Sequence, residues 1–223
     1  MQQRFDGFYL GLEIVRLVIA SDTHMHHDRL HVPNGDVFVH CGDFTEAGSE
    51  ADVIDFAAWL RSLPHRHLVV IAGNHDFLFE YEPDVARELL GSIGSRLAYL
   101  EDSGVTIDGH RFWGSPWQPR FYDWAFNLDR GEAIAEKWAL IPHGTDVLIT
   151  HGPSAGILDR VGFEDVGCAD LRERVIELQP AVHAFGHIHE RSGTVQIGGT
   201  TYVNASICDE HYSPVNPCQV VDI

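Results

Sequence analysis

Short apolar runs recur along the chain, and most of them stop at a polar residue that can do chemistry. Residues 15–20, 36–40, 67–72, 146–150 and 181–185 each read as a short buried strand. Between the second and third runs, residues 49–63 carry Val53, Ile54, Ala57, Ala58 and Leu60 at helical spacing. Ser49 stands where an N-cap belongs, and Pro64 lies just past the end. Residues 83–90 read as a short helix with proline in its first turn, and 130–140 and 168–178 as two more. The tail alternates or runs apolar at 194–197, 200–205 and 219–223, which predicts strands of a second sheet or of a sheet edge. Strands alternating with helices predict an α/β layered fold. With no internal repeat, low-complexity tract or long linker, residues 1–223 read as a single domain.

The five buried runs end alike. They lead into Ser21-Asp22-Thr23-His24, Cys41-Gly42-Asp43, Gly73-Asn74-His75-Asp76, His151-Gly152 and Gly186-His187-Ile188-His189. Ligands collect at the carboxyl ends of strands in open α/β sheets. Neighbouring ends would therefore gather Asp22, His24, Asp43, Asn74, His151, His187 and His189. Carboxylate oxygen and imidazole nitrogen without thiolate suit Mn²⁺, Fe or Zn²⁺. Asp22 and His24 are two positions apart, so an extended strand would point both to one side, and His187 and His189 repeat the arrangement. Any one motif has a simpler account as a solvated turn. Five in order, each after an apolar run, point to one site.

Charge and cysteine content narrow the partners. Fifteen Lys and Arg against 33 Asp and Glu give a net charge of −18, which disfavours duplex nucleic acid and anionic membrane surfaces. It leaves open an anionic substrate held by metal ions, because a bound cation dominates its local field. The longest apolar runs fall far short of the roughly 20 residues that span a bilayer. The N-terminus lacks the basic start and apolar stretch of a secretory leader. Cys41, Cys168, Cys208 and Cys218 form no CxxC pair and read as reduced thiols of a cytoplasmic protein.

The order Asp-Xaa-His, Gly-Asp, Gly-Asn-His-Asp, His-Gly, Gly-His-Xaa-His resembles the calcineurin-like metallophosphoesterases, over Asp22 to His189. The segments Trp113-Gly114-Ser115-Pro116-Trp117-Gln118-Pro119, Thr201-Tyr202-Val203-Asn204-Ala205-Ser206 and Pro214-Val215-Asn216-Pro217 resemble its metallophosphoesterase-domain-containing (MPPED-type) subgroup. Some members of that subgroup lack one histidine of the last motif; this chain keeps both His187 and His189. The resemblance implies a four-layer α/β/β/α sandwich with a dinuclear site at the strand ends. It implies two divalent metal ions, Mn²⁺ favoured with Fe or Zn²⁺ also accepted. Asp22, His24 and His189 would hold one ion, Asn74, His151 and His187 the other, and Asp43 would bridge through its two carboxylate oxygens. A metal-bridging hydroxide would be the nucleophile, and His75 the acid that protonates the leaving oxygen. Asp76 would either orient His75 or serve the fold.

The implied activity is metal-dependent phosphoester hydrolysis, by a phosphodiesterase acting on small nucleotides or related diesters. A dianionic monoester needs more positive charge nearby, and the chain has one lysine, Lys137, and few arginines near the motifs. Phosphomonoesterase activity and a non-catalytic nucleotide-binding role on the same fold stay open. A dense aromatic segment, residues 112–126, reads as an ordered loop near the metals or as a small core that pins the loop. Within it Trp117 and Arg120, flanked by prolines, are the candidate substrate contacts, by stacking and by reaching a phosphate. His26, His27 and His31 read as a solvated loop, and His40 and His183 as core histidines or partners of the metal ligands.

Overall fold

The structure is a computed structural model that describes residues 14–223. The N-terminal leader expectation and the first thirteen residues of the single-domain span lie outside the described residues. All five buried runs form strands, in two sheets. The first sheet runs Gln219–Asp222, Arg16–Ala20, Val37–His40, His67–Val70 and Leu97–Tyr99, parallel except for its antiparallel edge Gln219–Asp222. The second runs Gly193–Ile197, Thr200–Asn204, Val182–Phe185, Val147–Thr150, His110–Ser115 and Ser103–Ile107. Its four central strands are parallel and its two edges antiparallel.

The period-2 alternation of strand side chains builds the layers. Leu17 and Ile19 face the second sheet, in a core with Val37, Val39, Val69, Ile71, Phe112, Val147, Ile149 and Val182. Val18 and Ala20 point the other way, onto Val53, Phe56, Ala57 and Leu60 of the helix Glu50–Ser62. On the far face of the second sheet, Leu148, Phe185 and Tyr202 meet Ile134, Trp138, Leu171 and Val175 of the helices Glu132–Ala139 and Ala169–Leu178. The result is the α/β/β/α order. Among the described residues, no helix is long and apolar enough to cross a membrane.

Local chemistry explains the helix starts. Ser49 Oγ accepts from the Asp52 N–H at 3.2 Å, as an N-cap should. The buried stripe of that helix differs from the expected one: Phe56 belongs to it, while Ile54 is 53% exposed. The sheet core selects the positions one turn apart, and Ile54 lies off that stripe. Cys168 caps Ala169–Leu178, and burial raises its thiol pKa, so it is a packed residue and not a nucleophile. All four cysteines are free and buried.

The strands Ser103–Ile107 and His110–Ser115 add to those that the apolar runs predict. They form a hairpin about Asp108 and Gly109, both at positive φ (49° and 87°), the signature of a two-residue turn. Segment 112–126 is therefore not one loop, since its first residues complete a central strand and Phe112 sits in the inter-sheet core.

His183 is fully buried, with Nε2 2.8 Å from Thr150 Oγ1. Burial, helped by Arg172, lowers its pKa to about 3. The unfolded chain takes up this proton below about pH 6.5 and the folded chain does not until far lower, so stability falls with falling pH. The stability advantage of the native protein over His183→Gln should therefore narrow by about 1.4 kcal/mol per pH unit below pH 6.5. Urea melts between pH 6.5 and 4.5 measure this, and a pH-independent gap would show that His183 is charged in the fold.

Candidate metal centre

The carboxyl ends of three strands of the first sheet and two of the second converge on one edge of the sandwich. Backbone bonds stitch them: Gly186 N–H donates to His151 O, and Ile207 N–H to Ser21 O, each at 2.9 Å. The chain leaves the strands through left-handed backbone at Asp22 (φ 53°), His24 (39°), Asp43 (56°) and His187 (67°). Such a conformation costs a side-chain-bearing residue on the order of 1 kcal/mol. It is held by Asp22 N–H donating to Gly42 O (2.9 Å) and His24 N–H to Asp43 O (3.1 Å). Asp22 and His24 are therefore not on extended strand, and their proximity comes from this turn rather than from strand alternation. Gly186 is required by crowding, because a Cβ there would overlap the Asp22 carboxylate and Ser21.

The structure brings all seven candidate ligands together. Asp22, His24 and His189 form one group of donor atoms, and Asp43, His151 and His187 another. His187 and His189 thus serve different groups. His24 Nε2 lies 3.3 Å from His189 Nε2, which lies 3.5 Å from Asp22 Oδ1. His151 Nε2 lies 2.8 Å from Asn74 Oδ1 and 3.3 Å from Asp43 Oδ2. Donors bound to one ion at about 2.0–2.2 Å sit roughly 3 to 3.5 Å apart, so these spacings suit a metal ion in each group. Asp43 differs from the expected two-oxygen bridge. Its Oδ2 faces both groups, 3.3 Å from His151 and 3.9 Å from His24, while Oδ1 accepts the His75 backbone N–H at 2.8 Å.

The donor set fits divalent ions in its electrostatics as well. His151 Nδ1–H donates to Cys41 O and His189 Nδ1–H to Asp209 O, each at 2.9 Å, which leaves Nε2 of both rings as the ligand atom. Burial lowers the pKa of His24 and of His187 to about 4, so both are neutral and able to ligate at pH 7. Burial also pulls His151 and His189 down, but the carboxylates outweigh it and raise each to about 9, Asp43 acting first on His151 and Asp22 on His189. The two carboxylates are held below the usual range against a burial that would raise them, Asp43 chiefly by His151 and Asp22 by His189.

His75 stands at the edge of the centre, its ring within reach of His24 and Asp43. Its Nδ1–H donates to Glu46 O at 2.7 Å, leaving Nε2 for a ligand. Asp76 does not touch that ring. Its carboxylate accepts the N–H groups of Asp43, Thr45 and Gly73 and the Thr45 hydroxyl, at 2.8 to 3.0 Å. Burial and then Asp43 push its pKa up to about 7. Asp76 therefore shapes the loops that carry Asp43 and Asn74, the structural alternative.

A cleft of about 450 Å³ opens over these groups. Asp43, Asn74, His75, His187 and His189 form its floor, and Phe121, Trp124 and Tyr212 contribute aromatic walls. Trp117 is not among its lining residues, which corrects the expected substrate contact. Its Nε1–H donates to Asp102 at 3.0 Å, and Lys137 Nζ lies 4.4 Å over its ring while binding the same carboxylate at 2.7 Å. The indole is used up in fastening the loop to the domain. Arg120 does reach the rim, paired with Asp129 at 2.7 Å. Trp124 and Tyr212 are cleft residues that the sequence pattern does not mark. Trp124 was visible only as one aromatic among seven in its segment, and Tyr212 lies in a polar, proline-rich tail that marks a turn and nothing more. His27 packs on Phe56 and Trp59 and bonds Asp55 at 3.1 Å, away from the cleft floor.

The family model described as calcineurin-like phosphoesterase matches residues 15–191. Metallophosphoesterase domain-containing protein 1 of Homo sapiens is 47% identical over 230 residues, covering 93% of this chain and 71% of that protein. A UPF0046 protein of Caenorhabditis elegans is 40% identical over 210 residues, covering 90% and 72%. At the level of fold alone, TT1561 of Thermus thermophilus superposes with a TM-score of 0.59 at 11% identity, covering 86% of this chain and 88% of that one. A two-sheet scaffold with two juxtaposed donor groups at its strand ends agrees with these matches: the chain belongs to the calcineurin-like phosphoesterase family, with the metallophosphoesterase-domain-containing proteins among its relatives, and is a metal-dependent phosphoester hydrolase.

Proposed function

We propose that the protein is a phosphodiesterase for small nucleotides or related diesters. Asp22, His24 and His189 would hold one divalent ion and Asn74, His151 and His187 the second, with Asp43 Oδ2 within reach of both donor groups. Mn²⁺ is the favoured ion, and Fe or Zn²⁺ also suits nitrogen and oxygen donors without thiolate. When bound, such ions supply Lewis-acid charge for the phosphoryl oxygens and acidify a water toward neutral pH. His75 delivers a proton from Nε2 to the leaving oxygen, while Glu46 O holds the ring by Nδ1. Phe121 and Trp124 line the cleft and offer aromatic surface to a base or aryl group, and Arg120 stands at the rim with its Nε paired to Asp129.

The observation that carries the diester reading is the charge of the cleft. Its two lining arginines are engaged, Arg120 with Asp129 and Arg130 with the carbonyls of Gly167 and Val166. Glu164, Glu190 and Glu210 line the same cleft. That balance suits a monoanionic diester better than a dianionic monoester. The acidic surface likewise argues against duplex nucleic acid as substrate. Four free cysteines agree with a cytoplasmic protein.

Hydrolysis of bis-p-nitrophenyl phosphate and p-nitrophenyl phosphate by metal-stripped protein resupplied with Mn²⁺ tests the reading. The diester should be favoured by at least about tenfold in kcat/KM. The reverse ratio would make the protein a phosphomonoesterase. Loss of all turnover with both ions bound would make it a nucleotide-binding protein on a hydrolase fold.

A further inference from the structure

Two aromatic rings flank His75. The Trp124 centroid lies 4.2 Å from that of His75 at an interplanar angle of 35°, and the Tyr212 centroid lies 6.1 Å away at 62°. They approach from different neighbours: Trp124 packs on Phe77 at 5.7 Å, and Tyr212 on His24 at 4.8 Å and His189 at 5.2 Å. Both line the cleft, and Tyr212 is 48% exposed.

Each ring is fastened to a residue of the metal centre. Tyr212 has a φ of 58°, an uncommon conformation for a bulky side chain. A closed turn imposes it. Asp209 Oδ1 accepts the N–H groups of His211 and Ser213, Asp209 O accepts the Tyr212 N–H, and Ser213 O accepts the Asp209 N–H, all at 2.9 Å. The same Asp209 carbonyl accepts His189 Nδ1–H, so one peptide group orients both the ligand ring and Tyr212. Trp124 is tied through its neighbour, because Ala125 N–H donates to Asn74 O at 3.2 Å. Both rings line an open cleft and are held against its floor.

We propose that Trp124 and Tyr212 are specificity-determining residues for the leaving group: they form a slot beside His75 that takes a planar aromatic group. The inference rests on the phosphodiesterase reading with His75 acting on the leaving oxygen. In that reaction a water oxygen bonds to phosphorus and the bond from phosphorus to the leaving oxygen breaks. That oxygen keeps the electron pair and takes the proton of His75, the attacking water releases one proton to solvent from which His75 is reprotonated, and a phosphomonoester and an aromatic alcohol leave. The slot lies on the side where that alcohol must emerge.

The test compares methyl phenyl phosphate with methyl 2-naphthyl phosphate, which differ in the planar area of the leaving group. In parallel, calorimetry compares binding of the uncleavable methyl benzylphosphonate and methyl 2-naphthylmethylphosphonate to the Mn²⁺-loaded protein. Stacking on one or two rings should favour the naphthyl compound by about tenfold in KM and in Kd. In Tyr212→Ala and in Trp124→Ala the preference should fall to about twofold or less, and Tyr212→Phe and Trp124→Phe should restore it, with two ions per chain throughout. No preference in the native protein, or an undiminished one in both alanine variants, overturns the slot. If neither ester turns over, the phosphodiesterase reading fails, and the binding preference still decides whether the slot exists.

Discussion

Asp43→Asn should abolish turnover, lowering kcat/KM for a phosphodiester by at least about 10³-fold, and should leave no more than about one tightly held divalent ion per chain. The reason is the position of one atom. Oδ2 is 3.3 Å from His151 Nε2 and 3.9 Å from His24 Nε2, so it belongs to both donor groups. An amide in its place removes one negative charge from a site where only Asp22 would remain as carboxylate, and it presents either a weak oxygen donor or a repelling NH₂. The fold has less to lose. An amide oxygen at the Oδ1 position can still accept the His75 N–H now bonded at 2.8 Å. Metal analysis after gel filtration and a thermal melt with and without Mn²⁺ read the two effects separately. A ligand at about a hundred times its Kd stabilises a fold by about 2.7 kcal/mol, so the native melting temperature should rise with Mn²⁺ by several degrees. The variant should show little of that rise. Full metal content with undiminished turnover would remove Asp43 from between the ions.

His75→Ala should retain both ions and lose rate in proportion to the basicity of the leaving group. For an alkyl leaving group, which must be protonated as it departs, the expected loss is about 10²–10⁴-fold; for p-nitrophenolate it should be less than about tenfold. The His75 ring lies within reach of His24 and Asp43, and its other contacts are fixed elsewhere. Its Nδ1 is committed to Glu46 O, and its backbone N–H, which alanine keeps, is what bonds Asp43. The side chain therefore contributes through Nε2 alone. A plot of log kcat/KM against leaving-group pKa should be steeper for the variant than for the native protein. Equal losses for good and poor leaving groups would assign His75 to substrate positioning.

Much of the fold was legible because its information is local. The buried strands announce themselves as apolar runs of strand length, and the helix Glu50–Ser62 by spacing plus a serine cap. The hairpin Ser103–Ile107 and His110–Ser115 has a local signal in Asp108-Gly109, but the aromatic density that follows obscures the strand pattern. The burial stripe of Glu50–Ser62 was blurred because Ile54 and Ala58 are apolar without facing the sheet. Which apolar residue is buried depends on the surface opposite, and that surface comes from another part of the chain.

The same division runs through the metal centre. The order of amino acids is enough to give the donor types and where along the chain they fall, because a ligand must follow a strand and a glycine must let the backbone turn beside it. It is also enough to put the centre at strand ends. Packing in three dimensions sets the partition: His187 and His189, two residues apart, serve different groups because the backbone turns left-handed between strand and 3₁₀ turn. It turns one oxygen of Asp43 toward both groups while the other holds the His75 loop. It also places Trp124 and Tyr212, and not Trp117, on the wall of the cleft. Asp102 and Lys137 claim the Trp117 indole, and the turn built on Asp209 carries Tyr212 across the sandwich to His24 and His189. Local pattern reports what a residue can do; the register of two packed sheets and the hydrogen bonds of their loops set which neighbour it does it with.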